Sequence, residues 1–424
     1  MWLAWTMWGL VALLYCIGYF QRMAPAVIAE ELMSDFQLGG ALLGNLSATY
    51  FYSYAVMQIP SGLLADSIGP RKLATYACTG AAIGMLVFAF GSSLWLAYIG
   101  RFLVGASVAV AWVTCMKLAG HWFPANRFAT VTGVALLFGN FGGILAGVPL
   151  AIGVDLLGWR SAMGISGFIT LLLAVITWLA LRDDPQDYGF KSHAHSAVLK
   201  NGTLSAGPAL KSVASKKDTW LLFFAGGLST APVLVFAGLW GVPYLTQVYG
   251  LDKSQAALIT STMLLSFAFS GPILGAISDR LRRRKIPYLI GTIFTTLFWF
   301  VFLFVKLPYL MLFPLLAAIG FTSGALIIGF AFAREVNHPG ATGAVAGVVN
   351  MSVLGVAAIM QPVLGKILDS HWEGVLVNGA RVYGETAYFS AFIWLLISTA
   401  LSVVMVLFTN ESFCRMRVDL DDTQ

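Results

Sequence analysis

Three ionisable residues, Arg22, Arg101 and Lys117, stand inside long apolar runs of this 424-residue chain. A charge at membrane depth is costly, so each is a functional candidate. Arg22 shares a helical face with Tyr15 and Tyr19. A guanidinium donates two parallel hydrogen bonds to a carboxylate or phosphate, and the phenols would complete such a site. The alternative is an arginine snorkelling to the nearer interface. Arg101 and Trp112, eleven residues apart, share a face, whereas Lys117 falls roughly 160° away on an ideal helix. Arg101 is therefore either a cavity residue or a structural donor, and Lys117 reads as snorkelling or structurally paired.

Uncharged polar groups form further rows: Tyr50, Tyr54 and Gln58; Trp240, Tyr244 and Gln247; Asn350 and Gln361. They are read as ligand contacts, with interhelical packing and hydrogen bonding as the alternative. No Asp, Glu or His lies near the middle of an apolar run, and because a buried proton relay usually uses such a group, the sequence gives proton coupling no support. Glu30, Glu31, Asp155 or a protonated solute remain as proton carriers, so the coupling ion, H+ or Na+, stays open. The four cysteines have neither paired nor metal-ligand spacing, which implies no disulfide framework and no metal. No phosphate-binding loop, nucleophile and base pair, or cofactor motif is present, so ATP hydrolysis, enzymatic catalysis and a cofactor are not expected.

The elements that must position these residues follow from composition. Hydrophobic residues make up 58% of the chain and charged ones 10%, against about a quarter charged in soluble domains. Apolar runs fall at about 4–27, 41–65, 72–91, 94–119, 127–151 and 160–181, and again at 219–245, 255–278, 286–305, 308–332, 340–368 and 386–409. Each is long enough to cross a bilayer as a helix, the open-ended element whose backbone satisfies itself in hydrocarbon. The first run lacks a basic leader and continues into further spans, so it reads as a helix and not a signal peptide. The expectation is an all-α membrane protein of twelve transmembrane helices. The boundaries read as a six-helix bundle over 1–182, a polar linker over 183–218, a second bundle over 219–410 and a tail over 411–424.

The net charge of +6 does not imply nucleic acid, because the basic residues lie in short loops. Seventeen fall on one side of the alternating spans and five on the other, which predicts both termini on the cytoplasmic side. The two halves also match in register. Gly62-Leu-Leu-Ala-Asp66-Ser-Ile-Gly69-Pro-Arg71-Lys and Gly275-Ala-Ile-Ser-Asp279-Arg280 stand 213 positions apart. At that offset Arg22, Arg101 and Lys117 correspond to Val235, Pro314 and Phe330, so the buried cations belong to the first half alone.

The loop from Gly62 to Lys72 resembles the characteristic loop of the major facilitator superfamily, and the resemblance covers essentially the whole chain. It implies two pseudo-symmetric six-helix bundles that alternate access to a central site. Gly62, Asp66, Gly69, Arg71, Gly275, Asp279 and Arg280 would form a conformational latch, with the glycines permitting close helix approach and Asp66 facing a helix start near Gly340. The alternative is an ordinary turn with topogenic charges, and Ser67 and Pro70 depart from the family's basic pattern. Arg101-Phe-Leu-Val-Gly105 resembles the family's fourth-helix motif. Gly139-Asn140-Phe-Gly142-Gly143 with Gly147-Val-Pro149 only partly matches the glycine-proline motif of drug antiporters. Tyr19 to Val27, Leu43 to Tyr54, Met57 to Gly62 and Lys117 to Pro124 resemble proteobacterial carriers that include the phagosomal nutrient and amino-acid transporters of intracellular bacteria.

The resulting expectation is a monomeric, multi-pass inner-membrane carrier, secondary active or facilitative, partnered by the lipid bilayer and a small solute, and not by nucleic acid. The solute would bear a carboxylate: an amino acid, short peptide or organic acid. The alternatives are a multidrug or lipophilic-compound effluxer and a sensor that binds without flux.

Overall fold

The computed structural model describes residues 2–124, 127–190, 192, 206–338 and 341–416. His193, His195 and Lys200 in the polar linker, and Gly340, the expected counterpart of Asp66, lie outside them. So does the Asp66 side chain, although its backbone is helical.

Eighteen helices are described. In chain order they are α1 (Trp2–Met23), α2 (Ala29–Phe36), α3 (Gly40–Ile68), α4 (Pro70–Phe90), α5 (Leu94–Val108), α6 (Ala111–Trp122), α7 (Phe128–Leu145), α8 (Val148–Leu157) and α9 (Trp159–Ala180). There follow α10 (Ala206–Ser215), α11 (Lys217–Val235), α12 (Gly241–Tyr249), α13 (Lys253–Leu281), α14 (Lys285–Phe304), α15 (Tyr309–Ser323), α16 (Leu326–Glu335), α17 (Thr342–Ser370) and α18 (Glu385–Leu407). Eleven helical segments among the described residues are long and apolar enough to cross a membrane. The 29-residue α3 is the remaining long helix, and the all-α expectation holds. A two-stranded hairpin, β1 (Leu376–Val377) and β2 (Ala380–Arg381), precedes α18. Asn378 and Gly379 both take positive φ at its tip, the backbone that a two-residue turn between strands requires.

The chain divides into two compact units. The first holds Met1–Leu38, Asn45–Lys200 and Asn378–Ala380; the second holds Gly39–Gly44, Asn201–Val377 and Arg381–Gln424. In the first, α4 packs on α5 and α9, and α1 on α6 and α7. Gly84 and Gly100 let α4 and α5 touch backbone to backbone: a Cβ on either would stand 2.8 or 2.6 Å from the other's carbonyl oxygen. Without a hydrophobic drive between helices in lipid, such small-residue contacts do much of the packing.

In the second unit α11 packs on α17 and α18, and α13 on α15. Pro232 removes a hydrogen bond inside α11, which leaves the Leu228 carbonyl without its helical donor. Ser398 Oγ donates to that oxygen at 2.8 Å. Beyond Val235 the helix widens into a π-turn over Phe236–Trp240 before α12 resumes. The first turn of α3 also belongs to this unit, and the Asp369 carboxylate accepts its Gly40 and Ala41 N–H groups at 2.8 and 2.9 Å.

Two helices that sequence reads as continuous are broken. α5 gives way to α6 around Ala109, and α15 to α16 around Gly324, with both edges of the break 215 positions apart in the two halves. The ideal-helix angle between Arg101 and Lys117 therefore does not apply.

Candidate functional site

Arg22, near the end of α1, is 5% exposed. Its guanidinium carbon lies 4.4 Å from the centre of the Tyr19 ring, 4.8 Å from Tyr54 and 5.4 Å from Tyr50. Its Nε donates one long hydrogen bond, 3.4 Å, to Tyr50 Oη, which in turn donates to the Gly18 carbonyl at 3.2 Å. Tyr15 completes the aromatic wall, 5.0 Å from Tyr19 and 5.4 Å from Trp112 between ring centres. The chemistry expected of Arg22, Tyr15 and Tyr19 is thus extended by Tyr50, Tyr54 and Trp112 from two other helices. Among the described residues no carboxylate pairs with Arg22.

Arg101 is buried to 1% exposure, but its bonding differs. Nη1 donates to the Gln21 carbonyl at 2.7 Å and Nη2 to the Ser47 carbonyl at 3.2 Å. It ties α5 to the backbones of α1 and α3 through these two carbonyls. Its guanidinium lies 5.1 Å from the Tyr50 ring, so one phenol stands against both arginines. Lys117 Nζ donates to the Ala65 carbonyl at 2.6 Å and ties α6 to the end of α3. Gln21 was not anticipated. Its side chain donates to Thr170 Oγ1 at 3.2 Å and Ser166 Oγ at 3.4 Å, bracing the α1 backbone beside Arg22. A polar residue next to an arginine at depth was the available signal.

The candidates in the second unit are dispersed. Trp240 is the last residue of the π-turn, so the common face expected for Trp240, Tyr244 and Gln247 is not that of a regular helix. Trp240 Nε1 donates to the Gln361 carbonyl at 3.3 Å. Tyr244 sits among Tyr388 and Phe392, each 5.2 Å away. Gln247 Oε1 accepts from Tyr383 N and Tyr388 Oη, both at 3.0 Å. The Gln361 amide is fully buried with neither polar atom partnered among the described residues. Asn350, and Gln58 in the first unit, are half-buried.

The loop motifs are built around residues sequence reasoning partly missed. Arg71 packs 4.9 Å from the Trp178 ring and donates to the Trp178 carbonyl. Asp183 accepts from the Arg71 N–H at the start of α4, beside Gly69 at φ +80. In the second unit Glu411 accepts from Arg284 N at 2.7 Å and Lys285 N at 3.2 Å at the start of α14. Asp279 pairs with Arg284 at 2.6 Å, and Arg284 with Glu335 at 2.8 Å. Arg280 is exposed, and the arginine that holds Asp279 is Arg284, which corresponds to Arg71 at the 213-residue offset. Among the described residues a Cβ at Gly62 would meet nothing within 4 Å, and one at Gly275 only Ile327, at 3.9 Å.

At the linker, Asp184 accepts from Gln186 N at 2.9 Å and Ser192 Oγ at 2.7 Å, and pairs with His121 Nδ1 at 3.1 Å. Burial acts to raise its carboxyl, but these partners outweigh it and hold the group below the usual carboxylate range.

A multi-pass helical membrane protein with an aromatic-walled arginine in its first unit is the class these observations define. The Major Facilitator Superfamily model matches residues 11–242 and again 222–417, once for each half. The chain belongs to that superfamily. A probable hexose phosphate transport protein of Chlamydia muridarum is 26% identical over 399 residues, covering 86% of this chain and 85% of that protein. A probable sulfoacetate transporter of Cupriavidus necator is 24% identical over 287 residues, covering 65% of each; the chain spans just under two thirds of that relative's length. The structure of a bacterial homolog of the human lysosomal transporter Spinster superposes with a TM-score of 0.76 at 19% identity, covering 99% of this chain and 98% of that one. At that identity the likeness concerns the fold.

Proposed function

We propose that this chain is a carrier of the bacterial inner membrane that moves a small solute bearing one oxyanion group, by alternating access and without enzymatic chemistry. The observation that carries the reading is Arg22, a buried guanidinium walled by tyrosines and without an acidic counter-ion among the described residues. Such a cation is costly in a low dielectric until an anion meets it, and its planar fork suits a carboxylate, phosphate or sulfonate alike. The hexose phosphate and sulfoacetate named for the two relatives are small anions and agree in charge. Amino acids and peptides, expected from the family resemblance, have no counterpart in those two names, so the proposal rests on the anionic group. Both termini would face the cytoplasm, and the two halves are the domains that rock.

The test is a thermal-shift screen of detergent-purified protein against glucose 6-phosphate, sulfoacetate, amino acids and lipophilic cations, because a ligand of the folded state raises its melting temperature. Stabilisation by an anion in the wild type and none in Arg22→Ala is the expected result. Stabilisation by lipophilic cations alone would replace this reading with efflux.

A further inference from the structure

The glycine run of α7, Gly139 to Gly143, only partly fits the antiporter motif it resembles, and the structure gives it another task. Gly142 lies against the Cys16 carbonyl, a backbone contact between α7 and α1. Gly139 faces side chains instead. A Cβ there would stand 2.6 Å from Tyr15 Cε1, 3.1 Å from Tyr15 Cδ1 and 3.2 Å from Tyr19 Cε2. The adjacent Asn140 turns away, its amide donating to Leu136 O at 2.9 Å on its own helix.

We infer that Gly139 is a specificity-determining position of the Arg22 site, holding open the slot in which the Tyr15 and Tyr19 rings stand. The inference rests on the oxyanion reading above. Tyr15 is confined between this slot and Trp112, its Oη donates to Tyr19 Oη at 3.4 Å, and Tyr19 lies against Arg22. A side chain at position 139 must displace the Tyr15 ring by several tenths of an ångström, because ordinary carbon contacts begin near 3.5 Å. The displacement passes through Tyr19 to the guanidinium, whose position decides which head group it can meet in-plane. Binding geometry tolerates little error of this kind.

The experiment compares wild type, Gly139→Ala, Tyr15→Leu and the double variant in two readouts. One is the rate at which phenylglyoxal modifies Arg22 in ligand-free protein. The other is the affinity for glucose 6-phosphate and for sulfoacetate. Gly139→Ala should retain its fold, change the Arg22 modification rate, and weaken the bound anion about tenfold. The double variant should behave as Tyr15→Leu alone, because without the ring the added methyl has nothing to displace. Unchanged Arg22 reactivity in Gly139→Ala, additive effects in the double variant, or loss of the fold of the kind expected for Gly142→Ala would each overturn the inference. If neither anion binds the wild type but Arg22 reactivity follows the predicted coupling, the slot stands and the oxyanion reading falls.

Discussion

The two units share their scaffold and differ in their buried charge. In each, an acid just beyond the last long helix caps the start of the third: Asp183 on α4, and Glu411 on α14. In each, an arginine at that helix start docks locally, Arg71 on the Trp178 carbonyl and Arg284 on Glu335 and Asp279. At membrane depth the correspondence ends. Arg22 and Arg101 are buried in the first unit, and their counterparts Val235 and Pro314 carry no charge. A repeat keeps what both halves need for folding, so a difference at equivalent positions points to what only one half does.

The harshest way to break the comparison is to make the halves alike. Val235 is fully buried, so Val235→Arg should cost roughly 3 kcal/mol and greatly reduce folded protein, measured as monodisperse yield in detergent. Next in size, Arg101→Ala should destabilise by about 3 kcal/mol, because it removes two charge-assisted hydrogen bonds from a fully buried site. Its signature is a lowered melting temperature in the absence of any anion, in contrast to Arg22→Ala. Asp183→Asn and Glu411→Gln should each cost about 1 kcal/mol, the scale of a helix cap. Equal losses in denaturant titration would confirm that the caps are equivalent, and a loss in one half only would unmake the parallel.

The smallest effect concerns pH. Because the folded Asp184 carboxyl titrates below its unfolded value, its contribution is present above the usual carboxylate pKa of about 3.9 and fades as pH falls through the lower folded value. Melting temperatures between neutral and acid pH should therefore differ less between wild type and Asp184→Asn as the acid limb is reached.

Much of the fold was legible because hydrocarbon leaves few choices: an apolar run of sufficient length must be a helix. What escaped was irregularity within the runs. The π-turn at Trp240 and the breaks near Ala109 and Gly324 leave no mark in the hydrophobic periodicity. Arg22 and its tyrosines were legible from cost and spacing. The different bonding of Arg22 and Arg101 was not, since it turns on which carbonyls lie within reach. Arg284 was overlooked although the 213-residue offset pairs it with Arg71. Asn378-Gly379 was likewise an available hairpin signal, obscured by the apolar residues around it.

The most direct test of the account is the dissociation constant of the most stabilising anion from the screen, measured by calorimetry for wild type, Arg22→Lys and Arg22→Ala. Lysine keeps the charge but not the two-pronged fork. The account predicts binding weakened at least about tenfold in Arg22→Lys and undetectable in Arg22→Ala, with the ligand-free melting temperature of both retained. Equal affinity in all three proteins would contradict it.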